Sequence, residues 1–284
     1  MDNKKFFIIG SNGQLAREFI RVFTQRKINF AAPAENIVSL TDAPGLQQAI
    51  MAERPDYVLN CAAYNNVEEA ERNPQVAFAV NAEAVKSLAE FCHNQKIFLI
   101  HFGTDYVFDG EKKNFYTEED VPNPLNQYGQ SKLQGELHVQ KIMTDYLIFR
   151  LSWVIGHGTQ NFLYKLNTWA AQKPVLQVSA DEVSVPTFVE DVVEGVLAAV
   201  SKKLSGLYHL TNSGYASRYE LAKKYIEVRK LNNLVIPVPM DTFPSNVRRA
   251  KFTAMSNAKL SKEAGIIIPT WGTALMRYIN QSGS

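Results

Sequence analysis

The feature that most constrains this chain is a short apolar run that ends in a glycine-containing turn. Lys5 to Ile9 has the composition of a buried parallel strand, and Gly10 follows it directly. The turn continues through Gly13 and Ala16 into apolar residues with helical spacing. Glycines here let the backbone approach a phosphate, and the start of the helix offers it free N–H groups. The spacing indicates an imperfect dinucleotide-binding fingerprint with alanine in the last glycine position. An ordinary strand-to-helix turn of an α/β protein is the alternative interpretation.

The rest of the first half repeats the same unit, a short strand followed by a helix. The pattern predicts strands at 29–32, 57–61, 97–102 and 146–151, and helices at 43–54, 74–95 and 126–143. The second half is less regular, with strands at 175–178, 206–210 and 234–237 and helices at 162–172, 189–201, 217–230 and 271–280. Alternating strands and helices favour an α/β fold with a doubly wound parallel sheet. The family resemblance carried by the motifs below implies a Rossmann-type doubly wound parallel sheet with a smaller C-terminal substrate-binding lobe. We expect an NAD(P)-binding domain at 1–152 and a mainly substrate-binding lobe at 153–284. A segment at about 174–201 is expected to return to the first domain.

Composition excludes several classes of function. The 284 residues carry a formal net charge of +2 without a basic block, so neither nucleic acid nor a membrane surface is an expected partner. No apolar run approaches the roughly 20 residues of a membrane span, and the run after Lys5 is too short for a signal peptide. Cys61 and Cys92 cannot build a disulfide framework, which fits a cytoplasmic protein. The five histidines lack metal-ligand spacing, so no metal site is predicted.

The strongest candidate for chemistry is Tyr128 with Lys132, four residues apart on a predicted helix. Such residues share one helix face and can touch the same ligand. A nearby ammonium favours phenolate and is expected to lower the tyrosine pKa, so that the pair can deliver a proton to a carbonyl oxygen. A surface tyrosine beside a solvated lysine is the alternative. Thr104 follows the fourth strand, at the end of the sheet where ligands of open α/β folds bind.

The end of the second predicted strand bears on cofactor choice. NAD-specific sites commonly place an acid there to accept a hydrogen bond from the ribose 2′-hydroxyl. This strand ends in Ala31-Ala32-Pro33, and the nearest acid, Glu35, lies beyond the proline. The closest basic residues, Arg17 and Lys27, do not follow the strand. We therefore expect NADPH to be modestly preferred and NADH also to be accepted.

Five motifs in one order carry a resemblance to a known family. They are Gly-x-x-Gly-Gln-Leu from Gly10, Asn60-Cys61-Ala62-Ala63-Tyr64, Thr104-Asp105-Tyr106-Val107-Phe108-Asp109-Gly110, Tyr128-x-x-x-Lys132 and Arg150-Leu151-Ser152-Trp153. The chain resembles the extended short-chain dehydrogenases/reductases, and within them the dTDP-4-dehydrorhamnose reductase family. The likeness runs from Phe6 to the last helix, and the run that begins at Thr104 is its most specific part.

The resemblance implies a role for each matching residue. Thr104 would hydrogen-bond the substrate carbonyl, Tyr128 would protonate its oxygen, and Lys132 would hold the nicotinamide ribose. Asp105 and Trp153 would contact the sugar, and Arg249 would reach the substrate phosphates. The residues assigned to the cofactor, besides Tyr128 and Lys132, are Gly10, Asn12, Gly13, Gln14, Leu15, Ser39, Leu40, Ala62, Ala63, Tyr64 and Asn65.

The chain also departs from the family pattern. Gly103 stands where a serine usually precedes the catalytic threonine, and Glu182 to Thr187 differs from the usual Gln-x-Gly-x-Pro-Thr. These changes lie in the wall that is expected to face the substrate. The sequence therefore indicates the type of reaction more clearly than the identity of the sugar. The leading hypothesis is NAD(P)H-dependent reduction of the C4 keto group of a nucleotide-linked 4-keto-6-deoxysugar, as in formation of dTDP-L-rhamnose. The alternatives are a reductase or epimerase of another nucleotide sugar and a non-catalytic regulatory subunit. A homodimer is a hypothesis that no residue pattern tests.

Overall fold

The computed structural model describes residues 4–282. Its strands are β1 Lys5–Ile9, β2 Asn29–Ala31, β3 Tyr57–Asn60, β4 Phe98–Thr104, β5 Tyr146–Leu151, β6 Val154–Ile155, β7 Val175–Ser179, β8 Val183–Ser184, β9 Thr187–Phe188, β10 Gly206–His209, β11 Ala216–Ser217 and β12 Leu234–Val238. Its α-helices are α1 Gln14–Arg26, α2 Ala43–Glu53, α3 Val67–Arg72, α4 Pro74–Phe78, α5 Ala84–Gln95, α6 Gln127–Ile142, α7 Phe162–Gln172, α8 Val189–Ser201, α9 Arg218–Val228, α10 Ala258–Ala264 and α11 Trp271–Ser282.

Six strands form the central sheet in the order β10-β5-β4-β3-β1-β2, and every neighbouring pair is parallel. The predicted α/β class is therefore confirmed. The strand order reverses between β1 and β3, and ligands of open α/β sheets bind at such a reversal, beyond the carboxyl ends of the strands. The glycine turn after β1 and Thr104 at the end of β4 both lie at this edge of the sheet.

Apolar side chains cover both faces of the central sheet. On one face, Phe19 and Phe23 of α1 and Val196 of α8 pack on strand residues such as Phe149. On the other face, helices α2, α5 and α6 pack against the sheet through residues that include Ile50, Leu88 and Val139. Strands buried on both faces read as near-continuous apolar runs, which is why β1 and β4 are visible in the sequence.

A third core belongs to the C-terminal half. It joins α7, α9 and α11 to the parallel pair formed by β7 and β12. The segment expected to return to the first domain therefore divides. Its helix, α8, packs on α1, whereas its strand, β7, pairs with β12 and not with the central sheet. Instead, β10 supplies the outermost strand of the central sheet. Its residues Gly206 to His209 pair with Leu147 to Arg150 of β5.

The predicted single helix over 74–95 is interrupted. Residues Ala79–Glu83 form a π-helical turn between α4 and α5. The inserted turn directs buried Asn81 toward its neighbours: its Oδ1 accepts from the Tyr64 N–H at 2.8 Å, and its Nδ2 donates to Ser131 Oγ at 3.0 Å. The short helix α3 was not predicted. Within residues 4–282, no helix is both long and apolar enough to cross a membrane.

Candidate active site

Tyr128 and Lys132 lie on the buried face of α6, at the start of that helix. Asn126 caps the helix, accepting from the Gly129 N–H at 2.9 Å and donating to the Arg248 carbonyl at 2.9 Å. The cap therefore fixes the first turn against a loop of the C-terminal half. Tyr128 is 8% exposed and Lys132 is 3% exposed. The shared face predicted from their spacing is present, and the surface alternative is wrong.

Burial, not a neighbouring charge, dominates the titration of this pair. Loss of solvation raises the pKa of Tyr128 above its usual value of 10.0, and a hydrogen bond with Thr104 only partly opposes the shift. Burial also lowers the pKa of Lys132 to about 8. The Lys132 ammonium donates to the Phe102 carbonyl, with Nζ and O 2.6 Å apart. The expected depression of the Tyr128 pKa is thus wrong for this structure, because desolvation of the phenolate raises that pKa and nearby carboxylates raise it further.

Thr104 ends β4 beside Tyr128. Its side chain is 6% exposed and accepts from the Tyr106 N–H at 3.3 Å. The Tyr128 hydroxyl donates to Oδ1 of Asn65 at 3.4 Å, a long hydrogen bond that a ligand can replace. The structure therefore brings Thr104, Tyr128 and Asn65 together in one place.

Asp105, which is expected to contact the sugar, is 2% exposed, and its carboxylate is hydrogen-bonded within the chain. Its Oδ2 accepts from Ser184 Oγ at 2.7 Å and from Thr253 Oγ1 at 2.6 Å. Burial raises the pKa of Asp105, and these two hydroxyls oppose the shift. Through these hydrogen bonds the Asp105 carboxylate joins the loop after Thr104 to the C-terminal half. The sequence did not indicate these contacts, because Ser184 and Thr253 are distant from Asp105 in the chain.

The turn after β1 fits a dinucleotide phosphate. Gly10 has a φ of 78°, and a Cβ atom there would lie 2.8 Å from the backbone nitrogen of Ala62. Gly13, at the start of α1, makes no side-chain cap, so within residues 4–282 no side chain satisfies the first N–H groups of this helix. Side chains do cap α2, α3, α6, α7 and α9. Free N–H groups at a glycine turn are what a pyrophosphate binds.

The other expected cofactor residues lie around the same edge of the sheet. Asn81 holds the backbone of Tyr64 from both sides, and Ala62 N–H donates to Oδ1 of Asn60 at 3.2 Å. Gln14 Nε2 donates to the Val154 carbonyl at 3.1 Å, and its Oε1 is buried without a partner in the described part of the chain. Asn12, Gly13, Leu15, Ala63, Asn65 and Ser39 are partly or fully exposed, whereas Leu40 is buried in the core.

Glu35 approaches the glycine turn, which its sequence position beyond Pro33 did not indicate. Asn12 Nδ2 donates to Glu35 Oε2 at 3.5 Å, and Ser11 Oγ donates to the Pro33 carbonyl at 2.8 Å. The second contact folds the chain after β2 back over the turn. An acid is therefore present beside the glycine turn.

A cavity of about 1290 Å³ opens beside Tyr106 and extends between the two halves of the chain. Trp153 lines it with a φ of 40°, a left-handed conformation that is uncommon for a bulky residue. The Arg218 guanidinium lies 3.5 Å from the centre of the Trp153 ring, and its Nη2 is 3.4 Å from Glu182. Arg249 also lines the cavity and is paired with Glu68 at 2.6 Å.

Three residues of this region had no role predicted from the sequence. Arg218 gives no local signal, since its stacking on Trp153 depends on the fold. Glu136 and Arg150 form a buried ion pair next to Lys132, and the spacing of four residues from Lys132 to Glu136 was a signal that could have been used. In the described residues, no group of three or more His, Cys, Asp or Glu side chains is placed to hold a metal ion.

The chain is similar to known proteins over nearly its whole length. A dTDP-4-dehydrorhamnose reductase of Sinorhizobium fredii is 32% identical over 290 residues, 96% of this chain and 95% of that protein. The crystal structure of a dTDP-4-dehydrorhamnose reductase ortholog from Clostridium acetobutylicum superposes with a TM-score of 0.95, at 30% identity, covering 99% of this chain and 100% of that one. The Bacillus anthracis dTDP-4-dehydrorhamnose reductase, solved in complex with NADP, gives a TM-score of 0.94 at 28% identity, covering 98% of this chain and 99% of that one. The family described as "RmlD substrate binding domain" matches residues 4–284. The chain belongs to the RmlD substrate binding domain family.

Proposed function

We propose that this chain is an oxidoreductase that uses NADPH to reduce the C4 keto group of a nucleotide-linked 4-keto-6-deoxysugar, as in dTDP-4-dehydrorhamnose to dTDP-L-rhamnose. The observation that carries the proposal is the meeting of Thr104, Tyr128 and Lys132 at the edge of the sheet that also holds the uncapped glycine turn. The names of the relatives, and the NADP in one related structure, point to the same chemistry.

The side chains of the site suit reduction. NADPH, when bound, supplies the hydride that reaches the carbonyl carbon. The raised pKa of Tyr128 keeps its hydroxyl protonated at neutral pH, so it can donate the proton that the carbonyl oxygen requires. The Thr104 hydroxyl would orient that oxygen beside Tyr128. Lys132 contributes a buried ammonium that can hold the nicotinamide ribose and recharge the tyrosine.

The glycine turn and the cavity would bind the two ligands. The free N–H groups at the start of α1 would take the cofactor pyrophosphate, with Asn12, Gln14 and Leu15 beside it. The expected contacts of Ala63, Tyr64 and Asn65 with the nicotinamide side, and of Ser39 and Leu40 with the adenine end, remain proposals. The cavity would hold the nucleotide sugar, with Trp153 against the sugar and Arg249 toward the phosphates. NADH is also expected to be accepted, as the weaker of the two cofactors.

A second candidate is a reductase of another nucleotide sugar. The Arg218–Glu182 pair beside Trp153 supports it, because it adds hydrogen-bonding groups to the wall that the sugar would face. This candidate changes the substrate and keeps the same catalytic residues.

The test is an NADPH oxidation assay with a panel of 4-keto-6-deoxysugars linked to dTDP, UDP and GDP. We expect turnover with the dTDP-linked substrate, and loss of turnover in Tyr128→Phe. Turnover only with a different nucleotide sugar would establish the second candidate. Tight NADPH binding without reduction of any member would refute the reductase assignment.

The proposal also includes the cellular compartment and the oligomeric state of the enzyme. Cys61 and Cys92 are free thiols, as expected in a reducing compartment such as the cytoplasm. A homodimer remains the hypothesis for assembly, and light scattering of the purified protein measures it.

A further inference from the structure

A buried ion pair joins α6, four residues beyond the candidate catalytic lysine, to β5. Glu136 is 1% exposed and Arg150 is 3% exposed. Both Nε and Nη2 of Arg150 donate to the same oxygen, Oε2 of Glu136, at 3.0 and 2.8 Å. The second carboxylate oxygen, Oε1, is buried without a hydrogen-bond partner in the described residues. Structural arginine–carboxylate pairs are commonly bidentate, so this pair leaves one oxygen for another purpose.

The carboxylate of Glu136 and the ammonium of Lys132 meet the same strand at consecutive residues. Lys132 donates to the carbonyl of Phe102. Oε1 of Glu136 lies against Gly103, so closely that a Cβ atom there would overlap it and would lie 3.0 Å from the carboxyl carbon. Lys132 and Glu136 are also four residues apart on α6, and therefore share one helix face. Glycine at 103, where the family pattern has serine, is what gives the carboxylate this room.

The other titratable groups around the lysine do not replace this charge. His101 of β4 is fully buried, and burial together with Lys132 holds its pKa well below 6.5. His209 of β10 lies beside Arg150, and burial lowers its pKa to about 3. Both rings are thus neutral in the working pH range. On Lys132's own helix, Tyr128 is protonated, and Glu136 is the charge that opposes the loss of the lysine proton.

Arg150 is itself held in place, which fixes the carboxylate. Its guanidinium carbon lies 5.3 Å from the centre of the Phe108 ring, and the His209 ring packs edge-on against the same phenylalanine. Burying two charges is costly unless their positions are well defined, so a pair retained behind the site is expected to have a role beyond stability.

We propose that Glu136 is a positioning residue whose carboxylate, fixed by Arg150 and accommodated by Gly103, keeps Lys132 in its ammonium form and so sets the upper pH limit of the site. The turnover test of this proposal rests on the proposed function. The binding test does not, because NADPH affinity reports on Lys132 without any turnover.

The direct test is Glu136→Gln, which keeps the shape and removes the charge. Without the carboxylate, the pKa of Lys132 falls further, and Tyr128 also loses a charge that helps to keep its proton. Both changes move the alkaline limb of the kcat/KM profile to lower pH, by about one unit, which is about tenfold in rate on that limb. The pH dependence of NADPH affinity, measured by nicotinamide fluorescence, should move in the same direction.

Two further variants separate electrostatics from structural damage. The single variant leaves Arg150 buried without its partner and is expected to be less stable. Glu136→Gln with Arg150→Gln removes both charges, so it should regain stability while its alkaline limb stays shifted. Gly103→Ala keeps every charge and displaces the carboxylate, so it should shift the limb in the same direction by a smaller amount.

Glu18→Gln is the matched control. Glu18 is 4% exposed, and its carboxylate accepts from Arg21 of the same helix and not from Tyr128 or Lys132, so its loss should leave both pH profiles unchanged. Unchanged alkaline limbs for turnover and for NADPH binding in the single and double Glu136 variants would overturn the proposal. If no ketosugar is reduced, the proposed function fails, and the NADPH titrations alone still decide the role of Glu136.

Discussion

The Nζ atom of Lys132 lies 2.6 Å from the carbonyl oxygen of Phe102, so the ligand-free lysine is held by the strand and not by the tyrosine. Burial lowers its pKa from 10.5 to about 8. In the folded protein the proton is therefore held less tightly than in the unfolded chain. The buried ammonium lowers stability below about pH 8, and stability rises as pH increases from there toward 10.5.

Lys132→Met should therefore weaken cofactor binding and turnover while making the folded protein more stable at neutral pH. Removing the buried charge is expected to add about 1–3 kcal/mol to the free energy of unfolding, since one pKa unit corresponds to about 1.4 kcal/mol. Urea denaturation at several pH values measures the gain, which should vanish near pH 10.5. Lys141→Met, at an exposed position of the same helix, is the control. A variant less stable than the wild type at neutral pH would contradict this prediction.

Tyr128→Phe should abolish proton donation and leave the fold intact. We expect kcat to fall by about 10²- to 10⁴-fold, the usual contribution of acid–base catalysis, with NADPH affinity nearly unchanged. Stopped-flow measurement of hydride transfer and a fluorescence titration of NADPH check the two parts. Tyr225→Phe, which removes a hydroxyl bound to Asn167 in the C-terminal half, should retain full turnover. Near-normal turnover of the Tyr128 variant would exclude this residue as the acid.

Glu35→Gln should raise the preference for NADPH. The carboxylate lies near the glycine turn through Asn12, and its charge opposes a ribose phosphate there. The site is exposed, so an interaction of about 0.2–1 kcal/mol predicts a rise of about 1.4- to 5-fold in the ratio of kcat/KM for NADPH to that for NADH. Glu90→Gln, an exposed acid on α5, should not change the ratio. A lowered ratio in the Glu35 variant would show that this acid does not face the phosphate.

Arg218→Ala should act on substrate affinity. The guanidinium covers the Trp153 ring and holds it at the cavity wall, so its loss should misplace the tryptophan and raise KM, by at most about 30-fold if all of a contact of about 2 kcal/mol were lost to binding. The effect on kcat should be smaller, because Arg218 does not contact Tyr128. Lys223→Ala removes an exposed cation that lies over Tyr219 on the same helix, and should leave KM unchanged. A loss confined to kcat would place Arg218 outside the sugar wall.

The parts of the site that could be predicted depend on residues close together in the chain. The turn from Gly10 to Gly13 requires only a strand, two glycines and a helix, and all are local. The shared face of Tyr128 and Lys132 follows from helical periodicity alone. Thr104 was placed correctly because the carboxyl ends of parallel strands meet at one edge.

The parts that could not be predicted depend on tertiary structure. Asp105 points inward because Ser184 and Thr253 approach it from elsewhere, and a sequence does not give the direction of a side chain. The raised pKa of Tyr128 has the same origin, since burial of the whole helix face decides it and the four-residue spacing does not. The stacking of Arg218 on Trp153 depends on the unusual backbone of the tryptophan.

The position of β10 has a consequence for how the protein is made. The central sheet gains its last strand from residues 206–209, which pair with β5 about sixty residues earlier in the chain. During synthesis, β5 therefore leaves the ribosome with an open edge, and it stays open until β10 emerges. An unpaired strand edge is a template for association with other chains. A nascent chain that stops before residue 206 is thus expected to aggregate, even though it contains the complete glycine turn and all three proposed catalytic residues.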